Sequence, residues 1–154
     1  MVSTDRSEVL RLENQVCFAL VLASRGMIAL YQPLLEPLGI THPQYLAMLA
    51  LWERNPRTIK DLGEALQLTP ATLSPLVKRL EALGLIDRRP NSNDPRQLDI
   101  TVTEAGMDLL DQAETIPGRI AELLRMENAQ LLELYNILHT TIKAERRALD
   151  SDLP

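Results

Sequence analysis

Few groups in this 154-residue chain can do covalent chemistry: one cysteine, Cys17, and two histidines, His42 and His139. A thiolate is both a nucleophile and a target for oxidants, so Cys17 is either a redox centre or a small packing residue on an apolar stretch. One cysteine cannot close an intrachain disulfide, and with two histidines it cannot complete a tetrahedral zinc site, so neither metal nor cofactor is expected. No serine, histidine and acid set, glycine-rich phosphate loop or metal cluster stands out, and the chain reads as a non-enzyme. The catalytic alternative is a thiol peroxidase, which with one cysteine needs an outside thiol to turn over.

A second group of residues suits recognition. Thr69, Ala71, Thr72 and Ser74 are small or hydrogen-bonding and are followed by Lys78 and Arg79. A helix entering the major groove end-first needs small or polar residues near its start, to meet base edges, and cations further on, to meet phosphate. Arg96 follows Asp94 in a run of turn formers, where it could enter a minor groove with Asp94 orienting it; Arg88 adds a further cation. From Arg54 to Arg96 eight basic residues face five acidic ones, a local excess of three in a chain of net charge −5. A basic middle on an acidic scaffold points to nucleic acid.

These groups need elements to position them. With 45% hydrophobic, 24% charged and 3% aromatic residues, the chain suits one or two small soluble domains with aliphatic cores, and a disordered tail protein is ruled out. Charges are expected to interrupt every apolar run short of the ~18 to 20 residues of a membrane span, and the start of the chain lacks a signal pattern. The expected setting is the cytoplasm, with no membrane partner.

Breakers then divide the chain. Asp5 with Glu8 predicts the start of a first helix running to about Leu35, with Pro33 and Pro37 at its end. Thr41 and Gln44 form a capping box for a helix through Tyr45, Met48 and Trp52, read as core, which Asn55 and Pro56 stop. Thr58 caps a short helix with Leu62, Ala65 and Leu66; after a turn near Gln67 and Leu68, Thr69 and Pro70 open another, about 69–83, ending at Gly84. Beyond Gly84 the period turns extended: a hairpin, or wing, over about 85–102. Thr103 caps a helix to about Thr115, Pro117 and Gly118 interrupt, and a last leucine-rich helix runs toward Leu149. Short helix, turn, helix and wing is the order of a winged helix-turn-helix, and DNA is the expected partner.

At this point the residues carry a resemblance. Asp94-Pro95-Arg96 running through Leu98 to Thr103 resembles the wing of the MarR family of dimeric bacterial regulators, and Leu73 to Glu81 resembles its recognition helix. Leu12 to Leu20 around Cys17, then Ser24, Arg25, Tyr31, Pro33, the Pro43 to Leu46 run and the Ile116-Pro117-Gly118 break, is similar to that family's organic hydroperoxide-responsive repressors. The resemblance implies a mainly α fold with a small β-wing, in an obligate homodimer. A helical dimerisation region would comprise 1–38 and 104–154, and the DNA-binding domain 39–103. It implies a repressor, at the nucleoid when bound, that leaves a pseudo-palindromic operator when a hydroperoxide oxidises Cys17, with Tyr31 supporting the thiol. His42 stands where these repressors often carry a second tyrosine, and Val21 where they carry a further aromatic residue. A nearby imidazolium would lower the thiol pKa where a phenol only donates a hydrogen bond.

Geometry constrains this site. Fourteen residues separate Cys17 from Tyr31; on one helix, at ~1.5 Å per residue, that is roughly 21 Å. Tyr31 therefore reaches Cys17 only from the other subunit. With no second cysteine, the oxidised thiol ends as a mixed disulfide with a small cellular thiol, a sulfenamide, or an over-oxidised acid. The non-redox alternative is a repressor released by a small phenolic ligand, with Cys17 inert.

Overall fold

In the computed structural model, residues 6–151 are described, and they divide into two units between Ile116 and Pro117. The first begins with a short helix α1 (Arg6–Val9), a 3-10 turn at Leu12–Asn14, and the 20-residue α2 (Val16–Leu35). The single first helix expected from sequence is thus broken. Side-chain amides take the backbone acceptors a continuous helix would use: Asn14 Nδ2 donates to the Glu8 carbonyl at 2.8 Å and Gln15 Nε2 to that of Val9 at 2.7 Å. The cap expected at Asp5 lies outside the described residues.

The membrane expectation also needs correction. From Val16 to Leu38 the chain is long and apolar enough to cross a membrane by length and composition, with a mean hydropathy of 1.4. Arg25 is the one charge within α2 and does not offset its neighbours. Pro33 sits inside α2, and a 3-10 turn, Glu36–Leu38, follows.

Next come α3 (His42–Glu53), strand β1 (Arg57–Thr58), α4 (Ile59–Leu66) and α5 (Pro70–Ala82). The local signals act as read: Gln44 Oε1 accepts the Thr41 N–H at 2.7 Å and Thr58 Oγ1 that of Asp61 at 3.1 Å. Gln67 turns the chain with φ of 54°, a left-handed conformation outside glycine. Gly84, at φ 73°, ends α5 and lets the Leu85 N–H return to the Leu80 carbonyl. Strands β2 (Ile86–Pro90) and β3 (Leu98–Val102) make the wing, antiparallel with Arg88 opposite Ile100. The expected two-stranded hairpin is in fact part of a three-stranded sheet in the order β1-β3-β2, because β1 pairs Arg57 with Ile100.

The core of this unit joins Tyr45, Met48 and Leu51 of α3, Leu62 of α4, Leu73, Val77 and Leu80 of α5, and Ile86 and Ile100 of the sheet. Each buried aliphatic side chain contributes about 1.5–3 kcal/mol. Trp52 is half-buried and donates its indole N–H to the Gly106 carbonyl at 3.0 Å. Helix α6 (Glu104–Ala113) starts at Thr103, whose Oγ1 accepts the Gly106 N–H and donates to the Gly84 carbonyl at 2.6 Å.

The second unit holds α8 (Asn128–Asp150), and α7 (Ile116–Leu124) runs into it. Pro117 and Gly118, expected as an interruption, lie in the first turn of α7, where a proline's missing N–H has no intrahelical partner to lose. Arg125, at φ 50°, ends α7, and the Glu127 N–H, capped by Gln130 Oε1 at 2.9 Å, starts α8.

A Cβ at Gly106 would lie 2.2 Å from the Leu85 carbonyl oxygen and 2.7 Å from Val102 Cγ1. Gly106→Ala is therefore expected to destabilise the first unit by about 1–3 kcal/mol, as overpacking does. Thermal unfolding should show a lowered Tm with the helix content unchanged below the transition.

Candidate DNA-reading face and thiol site

On α5 the burial pattern separates two faces. Leu73, Val77 and Leu80 are buried, while Thr69, Ala71, Thr72, Ser74, Lys78 and Arg79 are exposed. The sequence-predicted recognition residues thus share the solvent side of one helix. Thr69 occupies the N-cap position, but its hydroxyl bonds the Thr72 hydroxyl at 3.2 Å and caps no backbone N–H. Pro70, lacking an N–H, suits the first helical position. The side chains of Lys78 and Arg79 have no hydrogen-bond or ion-pair partner among the described residues, which leaves both cations available to an external anion.

The wing tip is organised by two side chains. Asn91 Oδ1 accepts the N–H groups of Asn93 at 2.8 Å and Asp94 at 2.9 Å, and its amide donates to Asp99 Oδ1 at 2.8 Å. Asp94 Oδ1 accepts the Arg96 N–H at 3.0 Å. Asp94 therefore holds the backbone of Arg96 and leaves the guanidinium exposed, without a partner among the described residues. Between this tip and the start of α5 lies a groove of about 770 Å³ lined by Lys60, Gln67, Thr69, Arg96 and Leu98.

Arg88 is placed differently from the other predicted contacts. Its Nε donates to Glu81 Oε2 at 3.0 Å, joining α5 to β2. The hydrogen bond from Arg88 is the main cause that holds the Glu81 carboxyl below its ordinary value. The pair is complete at neutral pH and is lost as pH falls through Glu81's lowered value. Sequence reasoning missed this pair; it read a turn over Asn91 to Pro95 from its turn formers, but not that the Asn91 side chain braces it, for which an Asx residue at the head of the run was the available signal.

At the thiol end, Cys17 is exposed in the first turn of α2. Tyr31 lies on the same uninterrupted helix, so the two do not meet within one chain. Tyr31 instead packs edge-on against His42, with ring centroids 5.0 Å apart, and against Tyr45 at 5.7 Å. No described residue hydrogen-bonds the Tyr31 hydroxyl or the His42 ring. Burial pulls the His42 imidazole below its ordinary value and pushes the Tyr31 phenol up. The neutral ring is thus favoured at pH 7, so His42 offers hydrogen bonding there and not the imidazolium charge that its sequence position suggested. Beside it, a cavity of about 470 Å³ is lined by Ile28, Gln32, Leu35, Glu36, Ile40 and His42.

A buried helix-turn-helix core, an exposed polar and basic recognition helix, and a braced wing with a free arginine define a winged helix-turn-helix regulator. Residues 40–98 match the MarR family model. Over 139 residues, 90% of this chain and 95% of the relative, it is 44% identical to the organic hydroperoxide resistance transcriptional regulator of Bacillus subtilis. It is 34% identical to the HTH-type transcriptional regulator TtmR of Methylorubrum extorquens, covering all of this chain and 80% of that one. The solved structure of reduced AbfR bound to DNA superposes with a TM-score of 0.71 at 35% identity, over 91% of this chain and 98% of that one; AbfR has also been solved from Staphylococcus epidermidis. The chain belongs to the MarR family. It is a transcriptional regulator similar to the Bacillus subtilis protein, a cytoplasmic protein and not an enzyme.

Removing the free guanidinium in Arg96→Ala should weaken operator binding strongly and flatten its salt dependence, because fewer counterions are released. Arg88→Ala should chiefly lower the melting temperature. A fluorescence-anisotropy titration across salt concentrations, beside a thermal melt, separates the two effects.

Proposed function

We propose that the protein is a homodimeric repressor that reads a pseudo-palindromic operator and releases it when an organic hydroperoxide oxidises Cys17. The N-terminal turns of α5, with Thr69, Ala71, Thr72 and Ser74, meet base edges in the major groove; Lys78 and Arg79 meet phosphate; Arg96 enters the minor groove. Arg88 supports binding by tying the wing to α5, and Asp94 by shaping the tip. Residues 1–38 and 104–154 serve dimerisation and 39–103 DNA binding, and the repressor sits at the nucleoid while bound.

The thiolate of Cys17 attacks the distal oxygen of the peroxide; the O–O bond breaks, a sulfenic acid forms and an alcohol leaves with the proton. The sulfenic acid then condenses with a low-molecular-weight thiol, closes on a backbone nitrogen, or oxidises further. Tyr31 and His42 from the opposite subunit donate hydrogen bonds to the sulfur. The observation that carries this reading is Cys17, exposed at the head of an apolar helix in a chain 44% identical to an organic hydroperoxide regulator. AbfR bound to DNA has been solved in reduced and overoxidised forms, and AbfR has also been solved with a disulfide formed, which supports redox chemistry at a thiol on this fold.

One equivalent of cumene hydroperoxide should add one oxygen, or a thiol adduct when a small thiol is present, and lower DNA binding in proportion; Cys17→Ser should do neither. Intact-mass spectrometry beside a DNA titration reads both. A second reading, release by a phenolic ligand, is favoured by the cavity of about 470 Å³ beside His42; it predicts that Cys17→Ser responds to such a ligand as the native protein does.

A further inference from the structure

The line of α5 that stands furthest from the core is apolar where it begins. At about 100° per residue, Ala71, Pro75, Lys78 and Ala82 fall within roughly 60° of one another, opposite the buried Leu73, Val77 and Leu80. All four are exposed. Thr72 and Arg79 lie roughly 80° to one side of this ridge and Ser74 roughly 70° to the other. The hydroxyls of Thr69 and Thr72 are tied to each other at 3.2 Å. The hydrogen-bonding side chains of the helix start thus stand beside the ridge, and the ridge itself opens with a methyl group and a pyrrolidine ring.

Pro75 breaks a rule of helix construction. It sits beyond the first turn of α5, where it cannot donate to the Ala71 carbonyl and its ring crowds that carbonyl. The side chain is exposed, so burial in the core does not offset this cost. A residue that breaks a local rule with no compensation inside the chain marks a contact made outside it.

In the major groove the base edges carry one apolar projection, the C5 methyl group of thymine. We infer that Ala71 and Pro75 read thymine methyl groups, so that each operator half-site presents two A·T pairs to this ridge. Four residues advance ~6 Å along α5 and successive base pairs ~3.4 Å along DNA, which sets the two methyl groups about two steps apart. The inference rests on the reading that α5 enters a major groove by its start, and it adds what the leading edge selects. Hydroxyls both donate and accept, so Thr72 and Ser74 tolerate several bases. An apolar ridge is more selective: among the four ordinary bases only thymine offers it a methyl group.

Uracil, which is thymine without its methyl group and pairs identically, supplies the test. The full-length reduced protein first selects its preferred duplex from a randomised pool, and each thymine of one half-site is then replaced singly by uracil. Affinity should fall about three- to fivefold, the worth of one buried methyl group, at two positions about two steps apart. At those positions 5-bromouracil, whose bromine fills the place of the methyl group, should restore binding. Contacts of Arg96 in the minor groove do not see the methyl group and should be unaffected. Ala71→Gly should abolish the uracil effect at one of the two positions and Pro75→Ala at the other. Pro75→Ala should also raise the Tm, because α5 regains a backbone donor, while it weakens binding to the thymine duplex. A structural role for Pro75 predicts a lowered Tm with the uracil effect kept, and that result would overturn its part in the ridge. Uracil effects that survive both variants would overturn the inference as a whole. A selected duplex that binds with steep salt dependence but is indifferent to uracil throughout removes methyl reading and leaves DNA reading intact; a pool that yields no preferred duplex removes both.

Discussion

The rise of an α-helix is the constraint on which this account turns. Because α2 runs unbroken from Val16 to Leu35, Cys17 and Tyr31 are held roughly 21 Å apart in any one chain, at ~1.5 Å per residue. No rotamer closes that gap. A thiol supported by Tyr31, as proposed, must therefore be assembled from two subunits, and a change at that thiol would then act on the surface that joins them. That gives a physical route from a one-atom modification to a DNA-binding geometry: a dimer reads two half-sites only when its recognition helices keep the right separation.

The reading head is stiff enough to carry such a signal. The Arg88 and Glu81 pair ties α5 to β2, Thr103 bridges the Gly84 carbonyl to the start of α6, and Trp52 reaches from α3 to Gly106. Recognition helix, wing and the beginning of α6 are joined by hydrogen bonds gathered at the C-terminal end of α5. The Asn91 and Asp94 turn presents Arg96 from a braced tip. Binding then costs less conformational entropy at the protein's side than a loose loop would.

How much of this was legible in the sequence depends on how local each interaction is. The box at Thr41 and Gln44, the cap at Thr58 and the glycine stop at Gly84 involve neighbours within a few residues, and their positions followed from residue type. The break after α1 did not, because it arises from Asn14 and Gln15 reaching back six residues to backbone carbonyls. Strand β1 is two residues long and exists only through pairing with β3, more than forty residues on. Arg88 read as a free cation because its partner Glu81 lies on a different element. His42 was legible as a departure from a family pattern, but its neutral preference comes from burial, which spacing does not reveal.

Mixed dimers test the central claim most directly. A heterodimer of one Cys17→Ser chain and one Tyr31→Phe chain has a single thiol, on the Tyr31→Phe chain, and a single phenol at position 31, on the other. Its rate of oxidation by cumene hydroperoxide, followed by intact mass, is predicted to match that of the native dimer per thiol and to exceed that of the Tyr31→Phe homodimer. A rate equal to that of the Tyr31→Phe homodimer would contradict a site built across two chains.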